Sequence, residues 1–263
     1  MTSSVDVVVT LRIDQEAEVV LSIVPAAGWV IDETLQIAVS GSAVHPVEQA
    51  DAHGTRLHRA TLPVGTADIR YRGVVAAPSA PAPSDDVDPV RYLRPSRYAP
   101  SDAVGDAVDA FAGLTAREAV ARIPAWVGEH LSYVPGSSGP TDTALDTLRD
   151  RRGVCRDYAH VTIALLRASG VPARLVSAYA PGLDPMDFHA VVEAFVDGRW
   201  EVVDATRLAP REHLVRIATG RDAADTAFLT TLSGSLTLES VTVTTVADGD
   251  LTIDDHDRSV LLR

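Results

Sequence analysis

Three side chains in this sequence could together do chemistry on a carbonyl group. Cys155 is the one cysteine among 263 residues. It lies in RGVCRDYAH, after a glycine and at the expected start of a helix. The unpaired N–H groups and the dipole of a helix N-terminus favour an anion, here a thiolate. His189, in DFHAVVEAFV, could deliver and accept a proton, and Asp204, in RWEVVDAT, could fix its tautomer. Cysteine, histidine and an orienting carboxylate are the parts of nucleophilic acyl transfer. The thiolate attacks a carbonyl, the imidazole protonates the leaving amine and then activates a second nucleophile. The Cys155 backbone N–H would serve as an oxyanion donor.

These residues need elements to hold them. CRDYAHVTIALLRASG reads as a helix that buries Tyr158, Ala159, Thr162, Ile163 and Leu166 on one face and ends at Gly170 and Pro172. ARLVSAYA reads as a strand, and FHAVVEAFVDGRWEVVDAT as a hairpin turning at Asp197-Gly198. With a two-residue turn, Phe195 faces Trp200, Glu193 faces Val202 and Val191 faces Asp204. His189 shares a face with Val191 by the period of two. It is then the diagonal neighbour of Asp204, about 7 Å away at the backbone. A slip of one residue would part them.

Upstream, residues 5–74 alternate as strands (VDVVVTLRI, EVVLSIV, LQIAVSG, RLHRATL, ADIRYRGVV) and predict a small antiparallel sheet or sandwich over residues 1–74. Residues 75–100 open with VAAPSAPAPSDDVDPV and read as a Pro/Ala/Asp-rich linker. From 101 to 263 the pattern predicts a catalytic domain with a strand-rich tail. Within it, SDAVGDAVDAFAGL, TAREAVARIPAWVGEHL and TDTALDTLRDRRG have helical spacing, the second opening on a Thr115–Glu118 capping box. The tail AFLTTL and LTLESVTVTTV could complete the second sheet or return to the first.

Composition narrows the function. The chain is 46% hydrophobic and 22% charged, an ordinary globular balance. A net charge of −13 disfavours nucleic acid and anionic membrane as partners. All 23 basic residues are arginine, which removes a phosphate-loop lysine, a Schiff-base lysine and any amine substrate of its own. One cysteine forbids an intramolecular disulfide. The N-terminus has no basic region or apolar run of a signal peptide, and no apolar run approaches about 18 residues, so a cytoplasmic protein is expected. Asp248, Asp250, Asp254, Asp255 and Asp257 lack the spacing of a calcium loop and read as a solvated acidic turn. His53 and His58 make no metal set. No metal and no organic cofactor are expected. Arg151, Arg152 and Arg156 flank the cysteine, either stabilising a thiolate or merely solvated. Tyr133 reads first as a core tyrosine and second as an oxyanion donor.

YVPGSSGPTDTALDTLRDRRGVCRDYAHVTIALLRASGVPARLVSAYAPG followed by DFHAVVEAFVDGRWEVVDATRLAP resembles the core of the transglutaminase-like superfamily, in its bacterial branch, over about residues 103–210. RRGVCRDYAH and SGVPAR are its most specific stretches. DAHGTRLHRATLP, YLRPSRYAPSD and GRDAAD resemble further segments of that group. The resemblance implies an α+β, papain-like fold with the nucleophile helix packed on an antiparallel sheet, preceded by a β-rich module. It implies Cys155 as nucleophile, His189 as base and Asp204 as orienting acid. The family often has Trp after HA and DPT at the aspartate; here Val191 and Ala205 stand there, so a wall of the substrate site is expected to differ. The expected function is a thiol-dependent enzyme acting on amide bonds of a peptide or protein substrate, by default through hydrolysis as a peptidase or deamidase. Transfer to an amine, and a non-catalytic binding module, are the alternatives. The oligomeric state is not readable from the sequence.

Overall fold

The computed structural model describes residues 2–79 and 85–262. The chain begins with β1 (Thr2–Leu21), in which Val5, Val7, Val9, Leu11 and Ile13 are buried while their neighbours are not. That is the alternation of a strand with one face on a core. β2 (Val30–Val39), β3 (Ser42–Val44), β4 (Val47–Ala50), β5 (Arg56–Leu62) and β6 (Gly65–Ala76) follow. The stretch read as a linker holds the end of β6 and the short α1 (Asp88–Arg91), and its residues 80–84 lie outside the described residues. Next come a 3₁₀ turn (Gly105–Phe111), α2 (Ala116–His130), β7 (Ser132–Tyr133), α3 (Ala144–Asp150) and β8 (Arg152–Gly153). Then follow α4 (Cys155–Ala168), β9 (Ala173–Tyr179), β10 (Phe188–Val196) and β11 (Arg199–Val203). A second 3₁₀ turn (Arg211–His213), β12 (Val215–Gly220), α5 (Ala223–Thr226) and β13 (Leu229–Ala247) complete the chain.

This is an α+β fold with antiparallel main sheets. The larger sheet runs β3-β2-β6-β1-β5-β4, and β13 pairs with β1 along nearly its whole length, from Ser3↔Ala247 to Leu21↔Leu229. Of the two destinations open to the tail, it takes the first sheet. The smaller sheet runs β11-β10-β9-β12. It is covered on both faces. Val191, Val202, Val215 and Ile217 join a core with β1, β5 and β6, while Leu175, Val192, Ala194 and Val203 join a second core with α4 and α2.

Two helical expectations change. The 101–114 stretch forms only the 3₁₀ turn, bounded by Gly105 and Gly113; both glycines take positive φ, which an α-helix cannot contain. The expected single apolar face of α4 is too narrow: Asp157 through Arg167 are all buried. α4 is a central helix, surrounded rather than laid on a surface, so its polar residues are enclosed too. α2 opens on the expected capping box, with Glu118 N–H donating to the Thr115 hydroxyl.

Candidate active site

The hairpin has the predicted register. Asp197 (φ 51°) and Gly198 (φ 79°) form a turn with two positive φ values, and Val196↔Arg199, Phe195↔Trp200 and Glu193↔Val202 are paired. A turn of this kind matches the twist of the strands it joins, so it locks the register. His189 Nε2 and Asp204 Oδ2 are therefore 2.8 Å apart, and both residues are buried. Asp204 Oδ1 accepts from the Thr206 backbone N–H and hydroxyl, which fixes the carboxylate. With Nε2 engaged, Nδ1 is the free ring nitrogen, buried and without a hydrogen bond of normal geometry.

Cys155 is the first residue of α4 and half-buried. Its Sγ lies 3.9 Å from the Phe188 carbonyl oxygen, one residue before His189. Burial alone would lower the His189 imidazole. The Asp204 carboxylate and the nearby Cys155 sulfur outweigh it and hold the ring well above its ordinary value, in the charged form. Burial would likewise raise the Asp204 carboxyl, but His189 and Thr206 hold it low.

The loop before the cysteine is clamped. Asp157 is fully buried, and its Oδ2 accepts from the Val154 N–H (2.8 Å) and the Ser138 hydroxyl (2.5 Å). Arg156 donates to Asp157, Ser138 and the Gly139 carbonyl, so its charge is spent on the clamp and not on the thiol. Arg151 and Arg152 are exposed. A side chain at Gly153 would put its Cβ 2.5 Å from Asp157 Cβ, so the glycine before the nucleophile is required by close approach. The carboxylate three residues beyond the cap is a spacing the sequence displays, and it could have flagged Asp157.

Tyr133 is not a core residue: it is 41% exposed. The parallel pair β7–β8 sets it opposite Gly153, its ring is 5.9 Å from that of Tyr158, and its hydroxyl lies against the Cys155 amide and thiol. Burial of the hydroxyl, then the Cys155 charge, pushes it up to about 12, so the phenol stays protonated. Val191 and Ala205 are both buried, one in each core. A cavity of about 160 Å³ borders Asp204 from behind, between α2, β11 and residues 256–259; Cys155 and His189 do not line it. His53 bonds Tyr92, His58 pairs with Glu48, and Asp254 pairs with Arg211.

Comparison with known proteins places this arrangement. Residues 106–205 match the profile of the transglutaminase-like superfamily. The crystal structure of a candidate cysteine protease from Cytophaga hutchinsonii is 30% identical, with a TM-score of 0.87, over 98% of this chain and 94% of that one. The chain belongs to the transglutaminase-like superfamily. A transglutaminase-like chain of this kind also matches an uncharacterised protein of Mycobacterium leprae, at 34% identity over 119 residues. That match covers 42% of this chain and 43% of the relative, so the chain spans less than half the length of the curated protein it resembles. Together, transglutaminase-like membership and the protease neighbour support a thiol enzyme in general terms. No helix among the described residues is long and apolar enough to cross a membrane.

Proposed function

We propose that this protein is a thiol-dependent amide hydrolase, a peptidase or deamidase acting on a peptide or protein, with Cys155, His189 and Asp204 as its triad. The observation that carries the reading is the buried His189–Asp204 pair at 2.8 Å, with its second ring nitrogen unbound and the helix-start thiol beside it. In the first step Cys155 Sγ bonds the carbonyl carbon, the C–N bond breaks, and the His189 imidazolium gives its proton to the departing nitrogen. Water then attacks the thioester, His189 takes its proton and becomes the imidazolium again, and the C–S bond breaks to release the acid and restore the thiolate. Asp204 holds the imidazole and stabilises its charge. We assign the oxyanion to the Cys155 backbone N–H and the Tyr133 hydroxyl, which is a neutral donor. A single thiol that must stay reduced to act fits a reducing compartment, and we assign the protein to the cytoplasm.

The test uses the one cysteine. Iodoacetamide should alkylate Cys155 in the native protein at pH 6 at least about tenfold faster than in His189→Ala, because the imidazolium no longer supports the thiolate. A peptide-amide library should be hydrolysed by the wild type and not by Cys155→Ser. Equal alkylation rates together with no hydrolysis would overturn the triad.

A further inference from the structure

The site has one more charged group at its mouth. Asp187 lies two residues before His189, and the Phe188 carbonyl between them is the group against Cys155 Sγ. Its carboxylate is close enough to both His189 and Tyr133 to act on them electrostatically, and it is held at the strand end that brings the Phe188 carbonyl to the thiol. Its Oδ1 accepts from the adjacent Phe188 N–H at 2.7 Å. Among the described residues no arginine or histidine pairs with it, although Asp157, Asp204, Glu193, Asp225 and Asp254 all have such partners. The residue as a whole is exposed, and crowding at its carboxyl alone raises it above the ordinary range, against the bond from Phe188 and the charge on His189. A carboxylate beside the nucleophile that has no ion-pair partner gains from a cation brought by a ligand. The nearest guanidinium of the nucleophile loop, Arg156, is turned into the Asp157 clamp and cannot answer it.

We propose that Asp187 is a specificity-determining residue, which selects peptide substrates carrying a basic side chain next to the amide that Cys155 attacks. The inference rests on the triad reading. Lysine or arginine beside the reacting amide would set its charge against Asp187, and an acidic side chain there would be repelled.

The single cysteine again gives a direct readout, and it does not depend on turnover. Cys155 is modified with two methanethiosulfonates of similar size, one with a trimethylammonium group and one with a sulfonate. Each rate is divided by that of the same reagent on 2-mercaptoethanol. The normalised cation-to-anion ratio should exceed one in the wild type and fall about three- to tenfold in Asp187→Asn at low salt, shrinking as salt is added. Asp184→Asn, which removes a nearby exposed charge, should leave the ratio within about twofold of the wild type. A ratio below one, or one unchanged in Asp187→Asn, overturns the proposal. The substrate arm compares hydrolysis of peptides with arginine or glutamine beside the scissile amide, with no amine added. Preference for arginine should appear mainly in KM and be lost in Asp187→Asn. If the preference appears only when an amine is supplied as second nucleophile, the carboxylate serves the incoming amine and the proposal fails. If no peptide is hydrolysed, the hydrolase reading falls and the substrate preference with it, while the reagent ratio still reports whether the Asp187 field reaches the sulfur.

Discussion

His189 and Asp204 form a buried ion pair whose worth depends on pH. The imidazole value is raised by folding, so its contribution is present below the unfolded value of about 6.5 and is lost as pH rises through the folded one. The Asp204 value is lowered, so its share is present above about 4 and lost in acid. The melting temperature of Asp204→Asn should therefore fall furthest below the wild type near pH 6, and the gap should narrow by pH 9. Removing one member of a buried pair costs about 3–5 kcal/mol, which sets the scale near pH 6. A gap independent of pH would mean that the imidazole is not charged in the folded protein. This pair was fully legible in the sequence, because a two-residue turn and a period of two are local rules. Tyr133 was legible only as the second of two readings and Asp187 not at all: nothing in their own segments says that a tyrosine 22 positions before the cysteine would meet it.

At the level of elements, the decisive device is the joint of β8 and α4. A tight turn brings Gly153 against Asp157, and Asp157 in turn gathers the Val154 amide, Ser138 and Arg156. The 138–139 loop, the 153–154 joint and the first turn of the nucleophile helix are thus fixed together. Gly153→Ala has no room for its methyl group, since Asp157 Cβ is backbone-bound and cannot swing away. It should cost about 1–3 kcal/mol by overpacking, read from urea unfolding, and slow iodoacetamide alkylation of Cys155. Unchanged stability and reactivity would show that the joint can relax. The helix itself was foreseen, with its start at Cys155 and its end near Gly170. Its burial on every side from Asp157 to Arg167 was not, because the apolar periodicity of α4 describes one face, while α3, α5 and the 94–98 segment supply the rest: Arg167 donates to the Arg94 and Arg221 carbonyls, and His160 accepts from Ala223 N–H.

Across the whole molecule, the two sheets share one core, and a buried charge cluster ties the smaller sheet to distant parts of the chain. Glu193 accepts from Arg174 at 2.7 Å and from Arg216 at 2.6 Å, and Arg216 also reaches the Leu262 carbonyl. Burial would raise the Glu193 carboxyl, and the two guanidiniums bring it down to about 2. The Arg174 guanidinium lies 4.1 Å from the centre of the Trp200 ring. Glu193→Ala leaves buried Arg216 without a carboxylate and Arg174 with only Asp88, 3.7 Å away, and should cost about 3–5 kcal/mol in denaturant unfolding. Because the core spans both sheets, the wild type should unfold in a single transition by both circular dichroism and tryptophan fluorescence. Two separated transitions would show that the β-rich part and the α4 part are independent.

By itself the sequence determined the strands, the principal helices, the hairpin register and the alignment of Cys155, His189 and Asp204, since each follows from local periodicity, turn chemistry or a recognisable run of residues. Only the tertiary structure decided the pairing of β13 with β1, residues that lie more than 200 positions apart at Ser3↔Ala247. It alone decided that Arg156 belongs to Asp157, that Tyr133 meets the nucleophile and that, among the described residues, no arginine pairs with Asp187. The physical reason is common to all four. Strand-edge hydrogen bonds and charge pairs accept many partners of the right type, so their choice is made by which groups the packed cores bring together, and no local pattern records it.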